Sequence, residues 1–128
     1  MNELAFVPVD YHEAAPRDEW SGDLGCGVQY FSQQAVGRLA RVAGFEFSAG
    51  RPLPEQLIAV QSALAAGDAR AREIYESIGT SFGYAIAHLA DFYELRHVLV
   101  LGRVASGAGG DPILARARAV LRAEFPAL

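Results

Sequence analysis

The chain contains no lysine; all eleven of its basic side chains are arginines. That excludes Schiff-base chemistry and any phosphate-binding P-loop, since both depend on a lysine amine. A single cysteine, Cys26, excludes an internal disulfide and leaves a cysteine-ligated structural zinc without partners. A reducing cytoplasm fits this usage. Nothing reaches the ~20 consecutive apolar residues of a membrane span, and Met1-Asn2-Glu3-Leu4 does not open a basic leader followed by an apolar run. No membrane or export role is therefore expected. A basic patch is missing too. The arginines are spread along a chain of net charge −4, and their nearest approach to a cluster, Arg116, Arg118 and Arg122, reads as a solvated helix face. Nucleic-acid binding, which needs a concentrated basic face, is disfavoured.

What is present suits one ordinary domain. In 128 residues, 52% hydrophobic and 20% charged, the composition is that of a folded globular protein. A chain of this size buries roughly two thirds of its unfolded surface around one core.

Residues 3–9, Glu-Leu-Ala-Phe-Val-Pro-Val, read as a short extended segment that Pro8 confines to a sheet edge or irregular structure. From Asp10 to Gly27 the composition turns to Pro, Gly, Asp and Glu, marking a long loop. Loops of that length in compact domains are commonly ordered by a ligand or serve a function. Ser32 caps a helix to about Ala43, with Val36, Leu39, Ala40 and Val42-Ala43 as its apolar face and Gly44 as its end. A second helix begins near Pro54 and carries Leu57, Ile58, Val60, Ala63 and Leu64 towards Gly67.

Asp68 caps the longest helix, on which Ile74, Ile78, Phe82, Ile86, Leu89 and Tyr93 recur at helical spacing as one buried stripe. Gly79 and Gly83 lie on it. Each costs about 1 kcal/mol relative to alanine, so close approach of another backbone is the plain reading and close approach of a ligand the sharper one. His97 to Leu101 is an uninterrupted apolar run stopped by Gly102, the pattern of a strand buried on both faces. A glycine-rich turn, Gly102 to Gly110, leads to a last helix opened by Asp111-Pro112 and buried through Leu114, Ala117, Val120 and Leu121.

Asp10, His12, Glu13, Asp18 and Glu19 gather metal-ligand types in one stretch, but their spacing matches no recognised site and a charged loop is the simpler reading. His88 and His97 have no serine or cysteine partner in a nucleophile motif.

Four stretches taken together resemble the ROK family of sugar kinases and repressors. Glu3-Leu4-Ala5-Phe6-Val7-Pro8-Val9-Asp10 is similar to the family's Glu-Ile-Gly-His-Met-Pro-Val-Asp, and Gly22 to Ser32 resembles Gly-x-x-Gly-Cys-Leu-Glu-x-Tyr-x-Ser. Gly67-Asp68-Ala69-Arg70-Ala71 looks like the Gly-Asp-x-x-Ala that opens the family's long helix, and Val98 to Val104 resembles its strand and glycine turn. The resemblance implies the carboxy-terminal portion of a ribonuclease-H-like, actin-like ATPase domain. It would be a helix-rich α/β structure of about four helices and one or two strands. Residues 3–31 would form the strand and the former zinc and sugar loop, 32–96 the helical part, and 97–128 the last strand, turn and helix.

The departures decide what such a domain can do. The family's zinc-binding histidine falls on Phe6, two of its zinc cysteines fall on Glu19 and Ser21, and its sugar-binding glutamate falls on Val28. Neither phenylalanine nor valine accepts a hydrogen bond. The sugar and metal sites are thus expected to be degenerate, with no cofactor. The resemblance further implies that the phosphate loops and the general base lie upstream of the segment at which this chain begins, so no catalytic residue is assigned. Of the nucleotide side, Gly102, Arg103, Ser106 and Gly107 map near the adenosine. Either residual contact with a nucleotide or a tight strand-to-helix turn accounts for them.

The expected role is a non-catalytic ROK-like domain acting by association, as a homo-oligomer or with a complementary amino-terminal half. The alternative is the carboxy-terminal fragment of an ATP-dependent sugar kinase, active only with its missing half.

Overall fold

The computed structural model describes residues 4–128, and the fold is built from helices. A one-turn helix α1, Val28–Phe31, abuts α2, Gln33–Val42. α3 spans Leu53–Ala65, α4 Ala69–Ala90 and α5 Gly110–Glu124. Short 3-10 turns at Leu4–Phe6, Arg103–Ala105 and Gly107–Gly109 complete the described elements. None of the described helices is long and apolar enough to cross a membrane.

The helix starts follow their capping residues. Ser32 Oγ accepts from the Gln34 amide and opens α2, while Asp68 accepts from the Arg70 amide and opens α4. Pro54 sits in the first turn of α3, where its missing N–H costs nothing. α5 starts one residue before the expected Asp111-Pro112 pair, and no side chain caps it. Its first turn instead continues directly from the 3-10 turn at 107–109, so Asp111 lies inside the helix.

α4 is the central element, and its most extensive partner is α5. Gly79 and Gly83 are the reason the two approach so closely. A Cβ on Gly79 would stand 2.6 Å from the Ile113 carbonyl oxygen, and one on Gly83 would stand 3.1 Å from that of Ala117. The glycines serve helix packing. On its other sides α4 meets α1, α2 and α3, and the shared core joins Val36, Leu57, Val60, Ile74, Ile78 and Phe82. Fully burying an aliphatic side chain of this kind contributes about 1.5–3 kcal/mol. The Phe31 ring packs edge-on against Phe82 at 5.6 Å and ties α1 to the same core.

Several expected core positions face water. Val42, Ile58 and Tyr93 are exposed; Tyr93 lies beyond the end of α4, and the buried residues of α2 are Ala35, Val36, Gly37 and Ala40. On α5, Ile113 joins the core ahead of Leu114.

The strands do not form. Residues 97–101 are irregular, and among the described residues the only β-type pairings are two isolated antiparallel bridges, Pro8 with Cys26 and Arg17 with Leu24. A strand gains its hydrogen bonds from a neighbour, and among the described residues no second extended segment pairs with the apolar run. The expected strand-turn-helix half of an α/β unit is thereby replaced by an irregular segment, two 3-10 turns and α5. Glu3 lies outside the described residues; the rest of the segment expected to be extended begins with the turn Leu4–Phe6 and reaches only the single bridge at Pro8. Pro8 has no N–H with which to extend that pairing. The architecture is helix-rich, and no sheet of the actin-like type is present among the described residues.

Candidate functional site

The segment expected to be a long loop, residues 10–27, is ordered by two carboxylates. Asp18 is buried, and its Oδ2 accepts from the amides of Trp20 and Ser21 at 3.2 and 2.6 Å. Its Oδ1 accepts from Gln34 Nε2 at 2.9 Å, and the Gln34 carbonyl oxygen in turn receives Gln29 Nε2. These donors, the Ser21 amide first, hold the Asp18 carboxyl below the usual aspartate range.

Asp10 is the second anchor. Its Oδ2 accepts from the Tyr30 hydroxyl at 2.5 Å and its Oδ1 from the His12 amide at 2.8 Å. The Tyr30 bond is the main cause of its lowered pKa, while burial and the same bond push the Tyr30 phenol up to about 12. Gly25 makes this geometry possible. Its φ is +62°, and a Cβ there would collide with the Asp10 carbonyl.

Three of the suggested metal ligands, Asp10, His12 and Asp18, therefore serve the loop itself. Asp10 and Asp18 are occupied by hydroxyl, amide and carboxamide donors, and His12 Nδ1 accepts from the Ala14 amide at 3.1 Å. No group of three potential ligands stands together among the described residues. Cys26 is buried at the Pro8 bridge.

The two positions where a sugar site would sit, Phe6 and Val28, lie on elements that touch, the 3-10 turn at 4–6 and α1. Phe6 is exposed there and Val28 half-buried. The glycine turn packs elsewhere, against α2, α3 and α5. Within it Ser106 Oγ donates to the Arg103 carbonyl at 2.6 Å, and Gln61 Nε2 on α3 donates to the carbonyls of Arg103 and Ser106 at 2.9 and 3.1 Å. Gly102, Arg103, Ser106 and Gly107 are all exposed, and the carbonyls of Arg103 and Ser106 are already engaged. Below the turn Tyr75 is buried, and burial pushes its phenol up to about 12.

A cleft of about 790 Å3 opens between residues 9–11, α1, the carboxy-terminal half of α4 and the final residues of the chain. Asp10 and Tyr30 line one wall; Ser81, Tyr84, His88 and Asp91 line the other. The Tyr84 hydroxyl donates to Glu124 at 2.6 Å, and Phe125 packs edge-on against the Tyr84 ring at 5.9 Å. The bond to Glu124 raises the Tyr84 pKa. Sequence reasoning placed only Asp10 and His88 among chemically interesting residues and missed the rest. The signal was there: Ser81, Tyr84 and His88 on α4 and Asp91 at its end recur at three and four residues, a polar stripe flanking the apolar one.

A different surface surrounds the failed strand. Leu99 and Leu101 are 74% and 75% exposed, and Phe92 and Tyr93 nearby in the chain are exposed as well, whereas Val100 packs on the core. Among the described residues, no hydrogen bond reaches the main chain of residues 96–101.

No family model matches this chain, and neither a curated protein nor a solved structure matches it. The likeness to ROK proteins rests on the four sequence stretches alone.

Proposed function

We propose that this chain is a non-catalytic, ROK-like association domain that docks by pairing residues 97–101 as a strand with another chain, either with the same segment of a second copy or with an exposed strand of a complementary half bearing the phosphate loops. The observation that carries the reading is the bare main chain of 96–101 beside exposed Leu99 and Leu101. An apolar run whose amides and carbonyls are unpaired is what strand addition satisfies: main-chain bonds supply affinity and alternate side chains supply fit. Val100 turned to the core between outward Leu99 and Leu101 gives these three residues the alternation of a strand, while Val98 is exposed beside them. Phe6 and Val28 in place of hydrogen-bonding groups favour association over sugar chemistry.

Size-exclusion chromatography with light scattering tests this directly. The chain should gain mass with concentration, and Leu99→Asp with Leu101→Asp should abolish the gain without changing the melting temperature. A monomer at every concentration, which also fails to bind an added ROK-type amino-terminal half, would refute the proposal.

A further inference from the structure

The cleft beside α4 has a chemistry of its own, independent of the association surface. Its volume, about 790 Å3, lies within the range of clefts that take small molecules. Tyr30, Tyr84 and Phe125 give it aromatic walls, and Asp10 and Asp91 give it two carboxylates. We propose that this cleft binds a small organic cation bearing an alkylammonium group.

Three observations lead there. First, the aromatic rings are fixed before any ligand arrives. Tyr30 is tied through its hydroxyl to Asp10, Tyr84 is tied to Glu124, and Phe125 braces the Tyr84 ring. A prearranged wall lowers the ordering cost of binding. Second, the neighbouring cations are held in place by protein groups, although Arg38 also lies close enough to act on Asp10. Arg38 lies over the Tyr30 ring, 5.4 Å from its centroid, and donates to the Gln29 carbonyl at 3.0 Å; Arg116 donates to Thr80 Oγ1 at 2.9 Å. The Arg38 stacking also demonstrates the chemistry, because one face of an aromatic wall residue already carries a cation. Third, the floor beneath the rings is apolar and small, formed by buried Ala85 and Ala87.

Charge then selects among ligands. An anion entering the cleft would meet two carboxylates, and a neutral apolar molecule would strip water from them without compensation. A methylated ammonium group satisfies both demands, offering a positive charge chiefly to Asp91, because both Asp10 oxygens already accept hydrogen bonds, and a greasy surface to the rings and alanines.

Choline is a suitable probe, and 3,3-dimethylbutan-1-ol, which has the same shape without the charge, is its control. Titration followed by two-dimensional amide NMR should give saturable choline shifts centred on Ser81, Tyr84 and His88. The neutral alcohol should bind at least about 10-fold more weakly. Tyr84→Leu and Asp91→Asn should each weaken choline about 10-fold, whereas Tyr84→Phe, which keeps the ring and its Phe125 brace but loses the Glu124 tether, should weaken it less than Tyr84→Leu does. Asp91 is exposed at the end of α4, so its variant tests the site without disturbing the core. Equal binding of the alcohol, no saturable choline shift, or shifts centred away from α4 would overturn the assignment.

Discussion

Gly79 on α4 faces the carbonyl of Ile113 on α5 so closely that a methyl group at residue 79 would stand 2.6 Å from that oxygen and 2.8 Å from the Arg116 Cβ. In a free helix, alanine would be the better residue by about 1 kcal/mol. Here the clash is with backbone, which cannot swing aside. Gly79→Ala should therefore lower stability by about 2 kcal/mol in urea unfolding, overpacking outweighing propensity. Gly83→Ala meets its nearest atoms at 3.0 Å or more and should cost less.

Acid should loosen the loop at 10–27. Asp10, Asp18 and Asp68 all have carboxyl pKa values below the ordinary 3.8, held there chiefly by Tyr30, the Ser21 amide and Arg70 respectively. A depressed folded-state pKa contributes stability that is present above the unfolded value and is lost as pH falls through the folded one. The melting temperature should thus fall from about pH 4 downward, and Asp18→Asn should flatten part of that slope. An acid limb unchanged in the variant would count against the Asp18 network.

Base should act through the phenols. Tyr30 and Tyr75 are both raised from 10.0 to about 12, chiefly by burial. A raised pKa contributes stability that is intact below 10.0 and is lost as pH climbs through the folded value, so unfolding should set in between 10.0 and about 12. Tyrosinate absorbance should show a late-titrating component. Tyr30→Phe and Tyr75→Phe should each diminish it.

Gln61 is the clasp on the glycine turn. Removing it in Gln61→Ala frees the carbonyls of Arg103 and Ser106 and should cost about 1–2 kcal/mol. Hydrogen exchange should quicken for amides of residues 103–109 more than for those of α2.

Neither ATP nor glucose should raise the melting temperature. The turn's carbonyls at 103 and 106 are occupied by Gln61, and Phe6 and Val28 offer no polar side-chain atoms to a sugar. Thermal shift with each ligand at millimolar concentration reads this out, since a ligand that binds only the folded state must stabilise it.

The helices were legible because their signals are local. Ser32, Asp68 and Pro54 mark starts through features held within one turn, and Ile74, Ile78 and Phe82 reveal a stripe by spacing alone. The strand at 97–101 misled because an apolar run specifies burial, not pairing. Whether it becomes a strand depends on a neighbour that the run itself does not encode. The cleft was hidden for a related reason. Tyr30 and Tyr84 come from distant stretches, and their partners Asp10 and Glu124 lie 20 and 40 residues away in sequence. The polar stripe on α4 held the one local signal of a wall, and it went unread.

Cys26 is 2% exposed and sits at the bridge to Pro8, the one thiol in the chain. A disulfide reagent can reach it only when the segment around it opens. The rate of thiol labelling in excess reagent thus clocks the opening of this one region without any engineered probe, and a partner that clamps the region would slow that clock.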